Sequence, residues 1–215
     1  MNERACKQLQ TALELEGYLT SKLIADPLRM LDSVMFCDGA NAVMLMSEAT
    51  ATTRGFRKMA RVASYAEVSN YRANDPAASM TETGFLVAGP RALQHAGLSA
   101  QNIRMLQAYD DFTIAVLIQL EQIGFCSPGS GARFIEETDL SWTGALPLNT
   151  GGGQISAGQP GLASGGLNLV EAVRQLFREA GERQVPDSSN AMVTGIGGVG
   201  YARNWITSSA LVLET

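Results

Sequence analysis

Residues 149–166 read NTGGGQISAGQPGLASGG, the richest glycine segment of the chain. The segment lies between a short strand-like run at 146–149 and a strongly amphipathic helical pattern at 169–177. Glycines let a backbone approach a ligand closely, and amides at a helix N-terminus favour anions or a developing oxyanion. The spacing matches neither a Rossmann fingerprint nor a P-loop, because no Gly-Lys-Ser/Thr follows. Taken by itself, the segment indicates a tight structural loop more readily than a binding loop.

Patterns typical of strands and helices alternate on both sides of this segment. Strand-like runs occupy residues 41–46, 59–69, 103–108, 191–194 and 206–213. Residues 4–16 have apolar positions at helical spacing, and the run at 41–46 is apolar enough for a strand that is buried on both faces. The alternation predicts an α/β layered domain, and the two closely spaced strands at its end predict a mixed sheet.

A few residues indicate where helices begin and end. Pro90 is permitted in a first helical turn, so it predicts a helix that starts there and continues to Ala96. We expect Asp110 or Asp111 to cap the next helix rather than to serve as a catalytic base, and we expect Gly124 to end that helix.

The composition indicates a folded domain and argues against several kinds of partner. The chain has 215 residues, of which 46% are hydrophobic and 17% charged, and its net charge is -5. Nucleic acids and anionic membranes usually bind a basic face, so we expect neither as a partner. Three scattered cysteines are too few for a disulfide framework or a zinc site. With no signal-peptide pattern and no apolar run of membrane-spanning length, a cytoplasmic location is expected.

Four blocks, in the same order and at agreeing spacing, resemble the thiolase superfamily. The glycine segment is similar to the signature Asn-x-x-Gly-Gly-x-Ile-x-x-Gly-His-Pro-x-Gly-Ala-x-Gly, and it matches at Asn149, Gly152, Gly153, Ile155, Gly158, Pro160 and Gly165. YDDF at 109–112 stands where thiolases have Asn-Glu-Ala-Phe, and GIGGVG at 195–200 stands where they have Cys-x-Gly-Gly-Gly-x-Gly. IADPLRMLDSVMFCDGANAVML at 24–45 resembles the end of their N-terminal half. ADPLR, YDDF and LNTGGG are most similar to the lipid-transfer-protein (sterol-carrier-type) branch.

The resemblance implies a fold and a division of the chain. The expected fold is a thiolase-like α/β layered domain, with a five-stranded mixed sheet and helices on both faces. Residues 1–55 would be a remnant of the thiolase N-terminal half, and residues 56–215 would be the C-terminal domain. A full family member is roughly twice as long as this chain.

The departures from the family pattern affect the chemistry directly. The signature histidine is Gln159 here, the asparagine that holds an oxyanion water is Tyr109, and the C-terminal catalytic cysteine is Gly195. Glutamine does not accept a proton at neutral pH, and glycine has no side chain. The nucleophilic cysteine of the family belongs to the N-terminal half. Cys37, Cys126 and the single histidine, His95, match none of the catalytic positions, and His95 is expected on a helix surface.

The resemblance nevertheless implies one reaction that needs no cysteine. Lipid-transfer-type homologues that act as aldolases cleave β-hydroxyacyl-CoA thioesters, notably of steroid side chains, and use tyrosines at comparable positions. Retro-aldol cleavage needs a base for the β-hydroxyl, an oxyanion site and an acid. Candidate catalytic residues are Tyr109 and Tyr201. For Tyr109 a catalytic role and an ordinary tyrosine at a strand end are equally favoured. For Tyr201 an ordinary structural role is the more favoured of the two. Candidate substrate-binding residues are Asn149, Gly152, Gly153, Gln159 and Gly197.

Two other functions remain open at this level. The chain could be one half of an acyltransferase (a thiolase) whose other half is supplied separately, or a non-catalytic module that binds acyl-CoA or lipid. A coenzyme A thioester is the expected substrate, with no tightly bound cofactor. The resemblance implies a homo-oligomer such as a dimer, or a hetero-oligomer with a thiolase N-terminal half or with an OB-fold and zinc-ribbon protein.

Overall fold

The computed structural model describes residues 15–75, 79–198 and 205–215. Its helices are α1 (Leu15–Thr20), α2 (Glu48–Thr53), α3 (Phe85–Ala96), α4 (Thr113–Ile123), α5 (Gly131–Glu137), α6 (Gly153–Ala157) and α7 (Ser164–Leu176). Its strands are β1 (Leu23–Ala25), β2 (Leu28–Arg29), β3 (Arg61–Ser69), β4 (Leu106–Gln107), β5 (Asn190–Ile196) and β6 (Thr207–Glu214). Strands β1 and β2 form a small antiparallel pair, and the other four form the main sheet. Among the described helices, none is both long and apolar enough to span a bilayer.

The main sheet is mixed, as predicted, and has the order β3-β6-β5-β4. Strand β6 runs antiparallel to both β3 and β5, while β4 runs parallel to β5. The expected fifth strand is reduced to one parallel bridge between Leu106 and Leu148. The Leu106 amide donates to the Pro147 carbonyl, and the Asn149 amide donates to the Leu106 carbonyl, each at 2.9 Å. Asn149 then adopts a positive φ of 46°, which turns the chain away before a longer ladder can form.

Helices cover both faces of the sheet, which confirms that part of the prediction. Along β5, Met192 and Ile196 point into one apolar core, and Ala191 and Val193 point into the other, as strand alternation requires. The first core includes buried residues of α3 and α4, and the second is closed by Ala172 and Leu176 of α7. The glycine segment leads into α7, so its position is set by the packing of this helix.

Two expected helix starts are wrong. Helix α3 begins at Phe85, and Pro90 lies inside it, because the buried apolar residues extend the helical face upstream of the proline. Helix α4 begins at Thr113 with Phe112 in the capping position and no side-chain cap, so neither Asp110 nor Asp111 caps it. Gly124 does end α4, with a φ of 98° in the left-handed region.

The segment before α2 departs most from the sequence prediction. Residues 41–46, expected as a buried strand, form neither helix nor strand in the structure, and Leu45 is 87% exposed. A strand needs a neighbour, and no part of the described chain pairs with this run. The predicted helix at 4–16 lies mostly outside the described residues, which begin at Leu15 in α1.

Candidate active site

The backbone of Tyr109 is held from two sides where the chain leaves β4. Its amide donates to the Thr194 hydroxyl at 2.9 Å, and its carbonyl accepts from the Gln119 side-chain amide at 2.8 Å. Thr194 also donates to the Gln119 carbonyl oxygen, so the two holding side chains bond to each other. Gln119 is fully buried. This closed network places residue 109 independently of what its own side chain contacts.

The Tyr109 ring points toward the start of α7. Its hydroxyl lies 3.1 Å from the Ser164 hydroxyl, which in turn donates to the Gly161 carbonyl at 2.6 Å. Because a serine has one hydroxyl proton, Ser164 must accept from Tyr109 in this arrangement. Ser164 is buried, and a Cβ on Gly165 would lie 3.8 Å from the Tyr109 ring. Ser164 therefore orients the Tyr109 hydroxyl, while Gly165 lies next to the ring.

Asp110 anchors the glycine segment to the end of β4. Its carboxylate accepts from the amides of Gln154 at 2.8 Å and Ile155 at 3.2 Å. A Cβ built on Gly153, whose φ is 59°, would lie 2.0 Å from the Asp110 Oδ2 atom, so only glycine fits there. Burial raises the pKa of Asp110 to about 6, in opposition to the lowering effect of the two amides. Asp110 is a structural anchor that titrates near neutral pH.

The side chains of Asn149 and Asn168 both bond to Ala108, the residue before Tyr109. Both side-chain amides donate to the Ala108 carbonyl, at 3.0 Å and 2.6 Å respectively. Their own carbonyl oxygens, and the side-chain nitrogen of Gln154, are buried and have no hydrogen-bond partner among the described residues. Such atoms are uncommon in native interiors and cost free energy unless something pairs with them. Asn149 thus lies beside the backbone of Tyr109, and its role in substrate binding stays a prediction; Asn168 is an addition that the sequence patterns did not single out.

Gln159 lies on a short bridge to the segment that precedes α2. Its amide donates to the Met35 carbonyl at 2.7 Å, and its carbonyl accepts from the Cys37 amide at 3.2 Å. Its side chain donates to the Gln154 side-chain oxygen at 3.3 Å. Sequence reasoning did not place Cys37 here, yet a Cβ on Gly158 would come within 2.6 Å of its sulfur. The only sequence signal is that Cys37 directly precedes Asp38-Gly39 in the first matched block.

The last matched block contributes less to the site. A Cβ on Gly195 would lie 2.6 Å from the Ser209 hydroxyl, so a larger residue at this position would require the Ser209 side chain to move. Gly197 donates its amide to the Thr207 carbonyl at 3.0 Å and makes no described contact with Tyr109 or with the glycine segment. Tyr201 lies outside the described residues. His95 is exposed in the last turn of α3, as expected.

The structure therefore brings together Tyr109, Asn149, Gly152, Gly153 and Gln159 at one end of the sheet. The Tyr109 hydroxyl lies beside the glycine segment, and the Gln154 side-chain nitrogen is a buried donor without a hydrogen-bond partner among the described residues. Such a site can hold a carbonyl oxygen and move a proton. In the described part of the chain it contains neither a histidine nor a cysteine in the family's catalytic positions.

Comparison with known proteins agrees with this architecture. A family model described as Thiolase C-terminal domain-like matches residues 66–212, and the chain belongs to this family. The fold is the thiolase-like α/β fold.

Within the superfamily, the chain is similar to the sterol-carrier-type branch. It is 31% identical to the Bos taurus protein called Sterol carrier protein 2 over 195 residues, which is 88% of this chain and 36% of that protein. It is 32% identical to the Mycobacterium tuberculosis 17-hydroxy-3-oxo-4-pregnene-20-carboxyl-CoA lyase over 195 residues, which is 87% of this chain and 48% of the lyase. The solved structure of an Ltp2-ChsH2(DUF35) aldolase matches with a TM-score of 0.77 and 28% identity, over 96% of this chain and 52% of that chain. The chain thus spans about half the length, or less, of these relatives.

Proposed function

We propose that the chain is the C-terminal part of an acyl-CoA enzyme that cleaves a C–C bond of a β-hydroxyacyl-CoA by a retro-aldol reaction. The observation that carries the proposal is Tyr109, whose hydroxyl is aimed and hydrogen-bonded beside the glycine segment. The lyase and the aldolase among its relatives support this choice over thiolysis. Gln159 and Gly195 stand where acyl transfer would need a base and a thiol.

The reaction balances with proton transfers alone. A base removes the proton of the β-hydroxyl, the bond between the α and β carbons breaks, and the β carbon becomes a carbonyl. The electron pair moves to the α carbon and is delocalised onto the thioester oxygen, and protonation of the α carbon then yields a shortened acyl-CoA. Tyr109 is the proposed proton-transfer residue, because Ser164 can accept from its hydroxyl or, once the proton has left, donate to its oxygen.

The glycine segment is the proposed thioester site. The side-chain nitrogen of Gln154, which has no partner among the described residues, is the available donor near residues 152–159, with Asn149 and Gln159 beside it. Most backbone amides of this stretch already donate to other groups of the protein. Preorganised donors of this kind stabilise an oxyanion without reorganisation during the reaction. Gly197 and Tyr201 stay predictions as further substrate-binding and catalytic positions.

The wider assignments belong to the same proposal. A coenzyme A thioester is the proposed substrate, on the basis of the lyase among the relatives. Residues 1–55 are proposed to belong with the N-terminal half and residues 56–215 with the C-terminal domain. A partner subunit is proposed because the similar solved structure is that of an aldolase named for two components, Ltp2 and ChsH2. A cytoplasmic location stays a prediction.

The test is turnover of a steroid-derived β-hydroxyacyl-CoA, with the shortened acyl-CoA and the carbonyl product measured by mass spectrometry. The chain is assayed together with an N-terminal thiolase half. Tyr109→Phe removes only the hydroxyl, and we expect at least a roughly 100-fold loss in kcat, the low end of the contribution of general acid–base catalysis. Tyr65→Phe is the matched control, since Tyr65 is an exposed tyrosine of β3 whose hydroxyl, among the described residues, bonds to Glu67 alone. Cleavage by Tyr109→Phe at the wild-type rate would exclude this role, and thioester binding without any cleavage would favour a binding module.

A further inference from the structure

A second buried carboxylate contacts the glycine segment, and the proposed reaction does not use it. Glu171 of α7 is 5% exposed. A Cβ built on Gly151 would lie 3.0 Å from the carboxyl carbon of Glu171, so the turn at 151–153 comes close to this group. A Cβ built on Gly153 would meet the Asp110 carboxylate. The turn therefore packs against two carboxyl groups, one from α7 and one from the residue pair that follows Tyr109.

Thr150 connects Glu171 to the start of this turn. Its hydroxyl donates to the Glu171 carboxylate at 2.8 Å and accepts from the side-chain amides of Gln107 at 2.9 Å and Gln175 at 3.1 Å. A hydroxyl has one proton and two lone pairs, so the donor and both acceptor positions of this group are used. All four residues are buried. Because Thr150 directly follows Asn149, its bonds to β4 and α7 hold the chain at the point where the glycine turn begins.

An arginine supplies the positive charge that the buried carboxylate needs. Arg183 donates to the second oxygen of Glu171 at 3.2 Å, and the Arg183 side chain is 28% exposed. Gln175 fixes the backbone that carries this arginine, because its side chain donates to the Arg183 carbonyl at 2.8 Å and accepts from the Val185 amide at 2.9 Å. A buried charge without a partner is strongly destabilising, so Arg183 allows Glu171 to hold Thr150 as a carboxylate.

We propose that Glu171 and Arg183 are positioning residues of the candidate active site, which act through Thr150 to fix the glycine segment. Asn149 directly precedes Thr150, and the turn leads into α6, which contains Gln154. A displacement of the turn would move both of these side chains of the proposed thioester site. A misplacement of about 1 Å can lower a reaction rate about 100-fold. The effect on turnover rests on the proposed function, whereas the effect on the turn itself does not.

The variants separate the hydrogen bonds of this network from the size of its side chains. Thr150→Val has nearly the shape of threonine but lacks the hydroxyl, and Thr150→Ser retains the hydroxyl. Glu171→Gln keeps the length of the side chain and removes the charge that pairs with Arg183. Thr83→Val is the matched control, because the buried Thr83 hydroxyl donates to Gln122 at 2.7 Å and, among the described residues, does not bond to the glycine segment.

Hydrogen–deuterium exchange of the full 215-residue chain measures the turn directly. The amides of residues 154–155 donate to the Asp110 carboxylate, so their exchange reports whether the turn opens. We expect exchange at these amides to be at least about tenfold faster in Thr150→Val and in Glu171→Gln, and unchanged in Thr150→Ser and in Thr83→Val. Unchanged exchange in either Thr150→Val or Glu171→Gln would overturn the inference. An equal acceleration in Thr150→Ser or Thr83→Val, or unprotected amides in the wild type, would also overturn it.

Turnover is measured well below the unfolding temperature of every variant, with the N-terminal thiolase half and the substrate of the Tyr109→Phe assay. We expect Thr150→Val and Glu171→Gln to lower kcat roughly 10- to 100-fold with little change in KM, and Thr150→Ser to keep the wild-type kcat. A purely structural role would lower the unfolding temperature and leave the kcat of the folded protein unchanged, and that result would overturn the inference. If the wild type does not cleave the substrate, the proposed reaction is refuted, and the exchange result alone decides the inference.

Discussion

The replacement Asp110→Asn tests whether burial raises the pKa of the Asp110 carboxyl, which lies just after β4. The ordinary pKa of this group is 3.8, and burial raises its pKa to about 6 in the folded protein. Between about pH 4 and pH 6 the unfolded chain has therefore lost a proton that the folded chain keeps. The unfolded state binds fewer protons in this window, so stability falls as the pH rises through it.

The size of the effect follows from the separation of the two pKa values. A gap of about 2 pH units corresponds to about 3 kcal/mol at 1.36 kcal/mol per unit. Asp110→Asn cannot ionise, so the free energy of unfolding of the variant minus that of the wild type should rise by about 3 kcal/mol between about pH 4 and pH 7. Any loss from the altered hydrogen bonds to Gln154 and Ile155 adds an offset that does not vary in this way. Below about pH 4 the carboxyl is protonated in both the folded and the unfolded wild type, and the difference levels off.

The assay is urea unfolding of both proteins at several pH values, followed by the fluorescence of the buried Trp205. Groups that titrate equally in the two proteins cancel in the difference. A difference that stays constant across this pH range would show that the Asp110 pKa is not raised. A difference that changes in the opposite direction would show that the amides of residues 154 and 155 outweigh burial.

Two further replacements test glycines whose surroundings leave no room for a side chain. Gly153→Ala should lose about 2–4 kcal/mol, because it combines a positive φ with a collision against Asp110. Gly55 has a φ of 76°, and no described atom would lie within 4 Å of a Cβ there, so Gly55→Ala measures the backbone effect alone. An equal loss of stability in Gly153→Ala and Gly55→Ala would contradict the collision. Gly89→Ala should lose about 1–3 kcal/mol, since its Cβ would lie 2.6 Å from Ile123 across the contact of α3 with α4. Thermal unfolding should show that the double variant Gly89→Ala, Ile123→Ala loses less stability than the sum of the losses of the two single variants. Strictly additive losses of stability would argue against this contact.

Much of the sheet can be predicted from the sequence because the local composition of its strands is typical of strands. Strands β3, β5 and β6 fall within two residues of the runs at 59–69, 191–194 and 206–213. Each has the β-branched and apolar composition of a strand, and each finds its neighbour within the chain. The four matched blocks also place the glycine segment correctly between the sheet and a long helix.

The errors in prediction occur where a residue's role depends on a distant part of the chain. Local sequence favours Asp110 as a cap of α4, but its carboxylate bonds to amides 44 and 45 residues away. Cys37 reaches the candidate site through a backbone bridge with Gln159, which no local sequence pattern shows. Pro90 is a poor guide to the start of α3, because the apolar face from Phe85 onward continues through it. The composition of 41–46 predicts burial, and no described part of the chain covers this run.

The network that holds the backbone of residue 109 has a consequence for how such sites change in evolution. Thr194 and Gln119 bind the main-chain groups of this residue and make no demand on its side chain. Any amino acid that tolerates the local backbone can therefore be presented at the same point, facing the same glycine-rich wall. Asparagine in thiolases and tyrosine here are then alternative side chains at the same fixed backbone position. A substitution at this position can therefore change the chemistry of the site without changing the fold around it.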